Sequence, residues 1–321
     1  MSTVAETLDL PTIVTPITPA YRGRFAPTPS GPLHLGSLLT ALASWLAARQ
    51  VGGEWRLRID DLDQPRCLPG AEDLILRQLE AHGLLWDGTP ERQTTHQAQY
   101  RAALQQLDAQ ELLYPCNCTR ATLAASSLSG PDGPVYAGTC RNASTPPAHP
   151  AALRLRLPPG ELQWQDGIQG LVQRAVPQEC GDFVLRRADG LIAYHLACVL
   201  DELRMGITEV LRGADLVGAT AQQLALMKSL GERPPAYAHV PVLLADDGRK
   251  LSKQNGAAAI DTGTAAVARQ LLFCLEALQL SPPAALAGAS AKVILEWALP
   301  HWDKRHPGRL TKRPALLQPL P

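Results

Sequence analysis

The sequence lacks an excess of charge of either sign. Its 321 residues include 30 lysines and arginines and 30 aspartates and glutamates, so the formal net charge at pH 7 is zero. Global charge therefore gives no reason to expect nucleic-acid binding, and any such surface would have to be a local patch. The chain exceeds the roughly 100 to 200 residues of one domain, which predicts two or three lobes around a substantial core.

Long apolar runs and a basic N-terminus are also missing. No apolar stretch reaches the roughly 18 residues of a membrane span, and the first 20 residues hold no lysine or arginine, which excludes a signal or transit peptide. The seven cysteines are odd in number, which favours a reducing compartment over a disulfide framework. We therefore expect a cytoplasmic protein without membrane association, a flexible leader over 1–20, and a monomer.

Hydrophobic patterning predicts an α/β fold. The string "YRGRFA" indicates a short strand, "HLGSLLTALASWLAARQ" a helix, and the alternating "GEWRLRID" a second strand, which together form a strand-helix-strand unit with parallel pairing. Two further helices are predicted in "GAEDLILRQLEAHG" and "HQAQYRAALQQLDAQ". The fold class is thus a parallel-sheet, nucleotide-binding α/β domain of the Rossmann type.

The second half is interrupted before it returns to regular structure. Seven prolines fall between residues 130 and 160, which indicates an insertion. The string "FVLRRADGLIAYHLACVLDE" has strand-like patterning around a turn, and "ADLVGATAQQLALMKSLG" predicts a helix that ends at Gly231. Two more helices are predicted in "AVARQLLFCLEALQL" and "ASAKVILEWALPHW".

These patterns divide the chain into five segments. We predict a leader at 1–20, the first half of the catalytic domain at 21–110, an insertion at 111–180, the second half at 181–235, and a loop with a helical region at 236–321.

The stretch "GRFAPTPSGPLHLGS", residues 23–37, suits phosphate binding. Its prolines stiffen the loop, while Gly31 and Gly36 allow close approach to the backbone. A helix that begins at or just after His34 would direct free N–H groups and its positive dipole end towards the loop mouth. An ordinary Pro/Gly turn ending in a helix cap is the alternative.

Three cysteines are grouped in a way that suits a metal. Cys116 and Cys118 are followed by Tyr136 and Cys140 within 25 residues. Three thiolates in a reduced protein match a tetrahedral structural zinc site that lacks one ligand, and such an ion would hold a Pro-rich segment together. Three unrelated buried cysteines remain the alternative.

Two strings resemble signatures of the class I aminoacyl-tRNA synthetases. "RFAPTPSGPLHLGS" is similar to the HIGH region of their glutamyl/glutaminyl branch, and "KLSKQNGA", over 200 residues downstream, resembles their KMSKS loop. The resemblance covers about residues 22 to 260 and implies formation of an aminoacyl-adenylate from ATP, accompanied by Mg²⁺. It assigns catalysis to His34 and Lys253 and ATP binding to His34, Gly36, Lys250 and Lys253.

The same resemblance implies a glutamate site. Glutamate requires cationic partners for its carboxylates and an acid for its ammonium. The positions carried over from the family are Arg24, Phe25, Ala26, Pro27, Thr28, Asp60, Tyr194 and Arg212. Asp60 stands where the family has glutamate, so the acid that meets the ammonium is one methylene shorter. A salt bridge of Arg212 with Glu209 or Asp215 is the structural alternative for that arginine.

Length narrows the resemblance to a truncated branch. Only 68 residues follow Lys253, which suffices for a helical stem-contact region but not for an anticodon-binding domain as well. The chain thus resembles the glutamyl-queuosine tRNA(Asp) synthetases, which attach glutamate to queuosine in the anticodon of tRNA(Asp) and activate it without tRNA. That resemblance also implies one structural zinc held by Cys116, Cys118, Tyr136 and Cys140.

Three rival functions are considered. They are a shortened glutamyl-tRNA synthetase that charges the 3′ end of tRNA(Glu), a small-molecule nucleotidyltransferase, and a non-catalytic paralogue. The basic tail "KRHPGRLTKR" predicts either phosphate contacts or a solvated disordered segment.

Overall fold

The structure is a computed structural model of the chain. Both lysines of the predicted downstream loop, Lys250 and Lys253, lie outside its described residues, as do the basic tail and almost all of the leader. The described residues are 20–143, 150–176, 178–244 and 258–303.

Twelve strands occur in the described part of the chain. Their bounds are β1 Arg22–Phe25, β2 Glu54–Ile59, β3 Glu91–Arg92, β4 Leu113–Cys116, β5 Leu128–Gly130, β6 Gly133–Val135, β7 Ala152–Leu155, β8 Gly160–Asp166, β9 Gly170–Val176, β10 Val184–Arg186, β11 Glu209–Gly213 and β12 Ala236–Val240.

Eight α-helices accompany them within the same ranges, and several follow the predicted boundaries closely. Their bounds are α1 Leu35–Gln50, α2 Ala71–Ala81, α3 Gln97–Ala109, α4 Arg120–Ser126, α5 Tyr194–Arg204, α6 Val217–Leu230, α7 Thr264–Ala277 and α8 Ala291–His301. None of these helices has the length and apolar character needed to cross a bilayer.

Parallel strands form the centre of the fold, as predicted. β1 pairs in parallel with β2, and β2 with β3. Thr208, just before β11, donates its backbone N–H to the Arg22 carbonyl at 2.9 Å and accepts the Arg22 N–H on its hydroxyl at 2.8 Å, which places β11 beside β1. β12 then pairs in parallel with β11, and β8 with β12. Two hydrogen-bonded sheets, in the orders β3-β2-β1 and β11-β12-β8-β9, thus meet with β1 beside β11.

The strands of the predicted insertion belong to three different sheets. β4, β7 and β10 form an antiparallel sheet, and β5 with β6 forms a hairpin. The antiparallel hairpin β8-β9 instead extends the parallel sheet through the pair Tyr237 and Asp166. Part of the segment 111–180 thus contributes to the central sheet, while the five-segment division stays a prediction.

The first core surrounds α1. The helix buries residues around its whole circumference, including Leu38, Leu42 and Leu46, because β1 and β2 cover one side and α7 and α8 pack on the other. Buried Trp55 of β2 donates its indole N–H to the Ser44 hydroxyl at 2.9 Å. The two C-terminal helices therefore share their core with the central sheet.

The second core corrects one sequence interpretation. The string read as strand-like around a turn is a strand only at β10, and its second half is the helix α5. Buried residues at consecutive positions, such as Leu196, Ala197 and Cys198, hide the helical period, because a short apolar run fits a buried strand and a buried helix equally well. α5 packs against α3 and α6.

Leu42→Ala tests the packing of the first core. Leu42 is fully buried, so the substitution leaves a cavity and should lower the free energy of unfolding by about 2–5 kcal/mol. The matched control is Leu85→Ala, whose side chain is 57% exposed and should change stability by no more than about 0.5 kcal/mol. Urea denaturation measures both, and equal effects would contradict the described packing.

Candidate active site and metal centre

A cavity of about 600 Å³ opens at the carboxyl ends of β1, β2 and β11, where open parallel sheets usually bind ligands. It gathers residues that are far apart in the sequence. The described candidate residues for glutamate, ATP and catalysis that line it are Arg24, Phe25, Ala26, Pro27, Thr28, His34, Gly36, Asp60, Tyr194 and Arg212.

His34 caps the helix that leaves the cavity. Its Nδ1 accepts the backbone N–H of Gly36 at 3.1 Å and of Ser37 at 3.3 Å, so the neutral ring carries its hydrogen on Nε2. His34 thus forms the helix cap, and these two amides are bonded to it rather than left for an anion. Gly31 supports the loop by adopting a φ of 126°, a conformation that other residues rarely reach.

Residues 258–260, which follow the predicted lysine loop, are hydrogen-bonded to the loop that precedes His34. The Gln78 side chain accepts the Leu33 N–H at 2.8 Å and donates to the Ile260 carbonyl at 2.8 Å. The Ile260 N–H in turn donates to the Leu33 carbonyl at 2.9 Å. Ala259 forms an isolated antiparallel β-bridge with His34. Residues 258–260 are thus attached directly beside the cavity.

Arg24 is buried and already ion-paired. Its Nε and Nη2 both donate to Oε1 of Glu202, at 3.2 and 2.8 Å, and its Nη1 donates to the Leu211 carbonyl at 3.2 Å. Glu202 is also buried. The positive charge of Arg24 is therefore offset within the protein.

Asp60 forms a second pair. The Arg58 Nε donates to Asp60 Oδ1 at 2.7 Å, and its Nη2 lies 3.4 Å from Oδ2. Burial raises the pKa of Asp60, and nearby Asp201 adds to this, although Arg58 acts in the opposite direction. The carboxylate thus lies at the cavity in an environment that penalises its charge, a setting in which a cationic ligand is favoured.

Arg212 differs from the other two arginines. It is only 4% exposed, yet the partners of its guanidinium in the described chain are neutral. Nη1 donates to the Tyr194 hydroxyl at 3.4 Å, Nε to His239 Nε2 at 3.2 Å, and Nη2 to Thr220 Oγ1 at 2.8 Å and the Leu216 carbonyl at 3.3 Å. The salt bridge considered as its structural alternative is absent from these partners. Its charge is therefore available to an anionic ligand.

His239, which contacts Arg212, in turn contacts Asp166 on the side away from the cavity. His239 Nδ1 bonds Asp166 Oδ2, and both side chains are fully buried. Asp166 Oδ1 also accepts the backbone N–H groups of Ile168 and Gln169 at 3.0 and 2.9 Å. Burial lowers the pKa of His239, and Arg212 lowers it further, against the opposing effect of Asp166. Because Nε2 accepts from Arg212 and Nδ1 faces a carboxylate, the ring is neutral with its hydrogen on Nδ1.

The cysteine group closes into a cluster, as the zinc interpretation requires. The thiols of Cys116, Cys118 and Cys140 lie within 4.8 Å of one another. The Tyr136 hydroxyl lies 3.5 Å from Cys116 Sγ and 3.9 Å from Cys118 Sγ, and the Arg154 guanidinium stacks over the Tyr136 ring at 3.8 Å. Three unrelated buried cysteines are therefore excluded.

The chemistry of this donor set fits zinc. Tetrahedral zinc with Zn–S bonds of about 2.3 Å places sulfurs about 3.8 Å apart, close to the 3.5 Å between Cys118 and Cys140. Burial disfavours the Cys116 thiolate, but hydrogen bonds from Tyr136 and Arg154 outweigh it and lower the pKa of Cys116 to about 7. The cluster thus offers a thiolate ligand near neutral pH.

Comparison with known proteins assigns the family. Residues 20–271 match the family described as tRNA synthetases class I (E and Q), catalytic domain. The glutamyl-Q tRNA(Asp) synthetase of Thiobacillus denitrificans is 46% identical over 300 residues, which cover 93% of this chain and 98% of that protein. The chain belongs to this family of class I tRNA synthetases. The glutamyl-Q tRNA(Asp) synthetase of Chromobacterium violaceum is 49% identical over 283 residues, covering 88% of this chain and 94% of the relative.

Solved structures of the family share the fold. Glutamate-tRNA synthetase from Elizabethkingia anophelis superposes with a TM-score of 0.74 at 25% identity, covering 91% of this chain and 67% of that structure. A glutamate tRNA ligase from Elizabethkingia meningosepticum, solved in complex with its amino acid, gives 0.73 at 24% identity, and the chain spans 66% of its length. The sequence resemblance to the glutamyl branch of class I synthetases is confirmed.

The sequence indicated part of the cavity lining, but neither Arg58, which also lines the cavity, nor the residues behind Arg212. Arg58 stands inside the string "GEWRLRID", where its alternation with Leu57 and Ile59 indicates only a strand. Asp166 lies in the predicted insertion, and His239 lies in the segment 236–321, which is predicted as a loop with a helical region. No local signal joins them to Arg212, because the contact depends on the pairing of β8, β12 and β11.

The metal interpretation predicts one zinc ion per chain. Cys118→Ser removes one thiolate ligand, so it should abolish stoichiometric zinc and lower the melting temperature. The control variant is Cys67→Ser. Cys67 is a free cysteine outside the cluster, so this variant should keep the metal. Elemental analysis and thermal unfolding measure both variants. Zinc-free wild-type protein that melts at the same temperature with and without added zinc would contradict the assignment.

Proposed function

We propose that this member of the family activates L-glutamate with ATP, without needing tRNA, and transfers it to the queuosine base in the anticodon of tRNA(Asp). The observation that carries the glutamate part is the buried guanidinium of Arg212, whose described partners are all neutral. The names of relatives that cover nearly their full length support the nucleic-acid substrate.

In this proposal the two ends of glutamate bind to opposite charges. The side-chain carboxylate binds at Arg212 beside the hydroxyl of Tyr194, and the ammonium binds Asp60. Arg24 lies beside Phe25, Ala26, Pro27 and Thr28 at the same cavity and holds Leu211 of the neighbouring strand in place. Because Asp60 retains its contacts with Arg58, the ammonium approaches an acid that is already held in position.

Adenylate formation needs no protein nucleophile. The glutamate α-carboxylate attacks the α-phosphate of ATP in line, and pyrophosphate leaves, so the protein acts by positioning and by stabilising charge. His34 presents Nε2–H for a phosphoryl oxygen because its Nδ1 is engaged by the helix amides. We assign ATP contacts also to Gly36, Lys250 and Lys253, and Mg²⁺ would reach the site with the phosphates of ATP.

The zinc cluster has a structural role in this proposal. Cys116, Cys118, Tyr136 and Cys140 would hold the ion, which supplies cross-links between β4 and the loop before β7. The helices α7 and α8 form a stem-contact region for tRNA. The enzyme acts as a cytoplasmic monomer.

The role of Asp60 has a pH-dependent consequence. Glutamate binding needs the charged carboxylate, so affinity should fall as the pH is lowered through a pKa that lies above the ordinary aspartate value. Asp60→Asn should weaken glutamate binding about tenfold or more at neutral pH and remove that pH dependence. Calorimetric titration measures both. The control is Asp63→Asn, on the same loop but outside the cavity lining, and unchanged affinity in Asp60→Asn would rule out the ammonium contact.

The function is tested by labelling tRNA with radioactive glutamate. We expect incorporation into tRNA(Asp) from a normal strain and almost none into tRNA(Asp) from a queuosine-deficient strain. Nuclease digestion should place the label in the anticodon fragment. Equal labelling of both tRNAs would contradict the proposal, and label at the 3′ end of tRNA(Glu) would favour the shortened glutamyl-tRNA synthetase instead.

A further inference from the structure

We propose that Asp166 and His239 are positioning residues that hold Arg212 in the orientation that distinguishes glutamate from glutamine. The inference rests on the proposed function, in which Arg212 binds the substrate side chain. It concerns two residues that neither line the cavity nor belong to the sequence signatures.

The three side chains come from neighbouring parallel strands. Arg212 of β11 stands opposite His239 of β12 in the register, and Asp166 ends β8 on the other side of β12. Asp166 and His239 are at most 1% exposed, and Arg212 is 4% exposed. Solvent therefore cannot replace a lost partner in this row of three side chains, Arg212, His239 and Asp166.

Donor and acceptor roles along the row are fixed by chemistry. A guanidinium only donates and a carboxylate only accepts, so the ring between them must accept from Arg212 on Nε2 and donate to Asp166 from Nδ1. Asp166 is itself held by backbone N–H groups, including that of His239 at 3.1 Å. The carboxylate thus sets the tautomer of His239, and the tautomer supplies an acceptor for Arg212 Nε.

The remaining contacts leave one edge of the guanidinium for the ligand. Nε is bonded to His239 and Nη2 to Thr220 and Leu216, while Nη1 faces the Tyr194 hydroxyl at the cavity. A guanidinium held in this way presents donors where glutamate has a carboxylate oxygen and glutamine has an amide NH₂ group. Loss of the Nε acceptor would let the plane rotate and would weaken this discrimination.

Two amide substitutions at position 239 separate the contact of His239 with Asp166 from its contact with Arg212. Asparagine places its amide near the position of Nδ1 and keeps the Asp166 contact, whereas glutamine reaches the position of Nε2 and can accept from Arg212. In glutamate-dependent pyrophosphate exchange with the full chain, His239→Asn should raise the KM for glutamate about tenfold. Its kcat should stay within about twofold, and the preference for glutamate over glutamine should fall. His239→Gln should restore most of both properties.

A double-mutant cycle shows whether the effect passes through Arg212. Arg212→Gln alone should raise the KM for glutamate, and adding His239→Asn to it should cause no further rise. His82→Asn, at a fully buried histidine in the first core, controls for the general cost of losing a buried ring. If His239→Asn does not fold, Thr220→Val isosterically removes the shorter of the two Nη2 contacts together with the hydroxyl beside His239 Nε2, and it should also raise the KM.

The outcomes distinguish this inference from the proposed function. If Arg212→Gln leaves the KM unchanged, the glutamate assignment is wrong and the inference falls with it. If Arg212→Gln raises the KM but His239→Asn and His239→Gln match the wild type, only the positioning role is wrong. Equal defects in both His239 variants, persisting in the Arg212→Gln background, would likewise show a merely structural role.

Discussion

The parallel alignment of β1 between β2 and β11 is the constraint on which the site depends. Because parallel strands end at the same edge of a sheet, this alignment brings Arg24, Asp60 and Arg212 to one cavity. The bonds between Arg22 and Thr208 fix it at the start of the strands. A change in register there would move all three side chains relative to one another.

Burial of charge gives the cavity its chemical character. Arg24 is paired with Glu202 and Arg58 with Asp60, so these arginines are largely neutralised by the protein. Arg212 instead has neutral described hydrogen-bond partners, and the carboxylate that acts on its charge at a distance is Glu202, which is already paired with Arg24. Since an unpaired buried charge is costly, binding of a carboxylate relieves that cost. The proposed binding of the glutamate carboxylate rests on this one cation, which has no direct counter-ion among the described residues.

Sequence patterns predicted most of the fold where they were long and periodic. The helices α1 and α6 have nearly the expected bounds, and Gly231 ends α6 in a left-handed conformation as predicted. The prediction failed at α5, where consecutive buried residues concealed the helical period. The cysteine spacing indicated a cluster because Cys116 and Cys118 are close in the chain, and the structure adds Cys140 and the Tyr136 hydroxyl.

The sequence by itself determined the family and indicated part of the cavity lining and the group of cysteines, because short strings carry the resemblance to the family and the cysteines stand close together in the chain. The tertiary structure alone decided how the buried arginines are paired, that His34 uses the first helix amides, and that Asp166 and His239 stand behind Arg212. These contacts join strands that are distant in the chain. Their partners are selected by sheet order and by the cost of burying charge, and neither is visible in a local pattern.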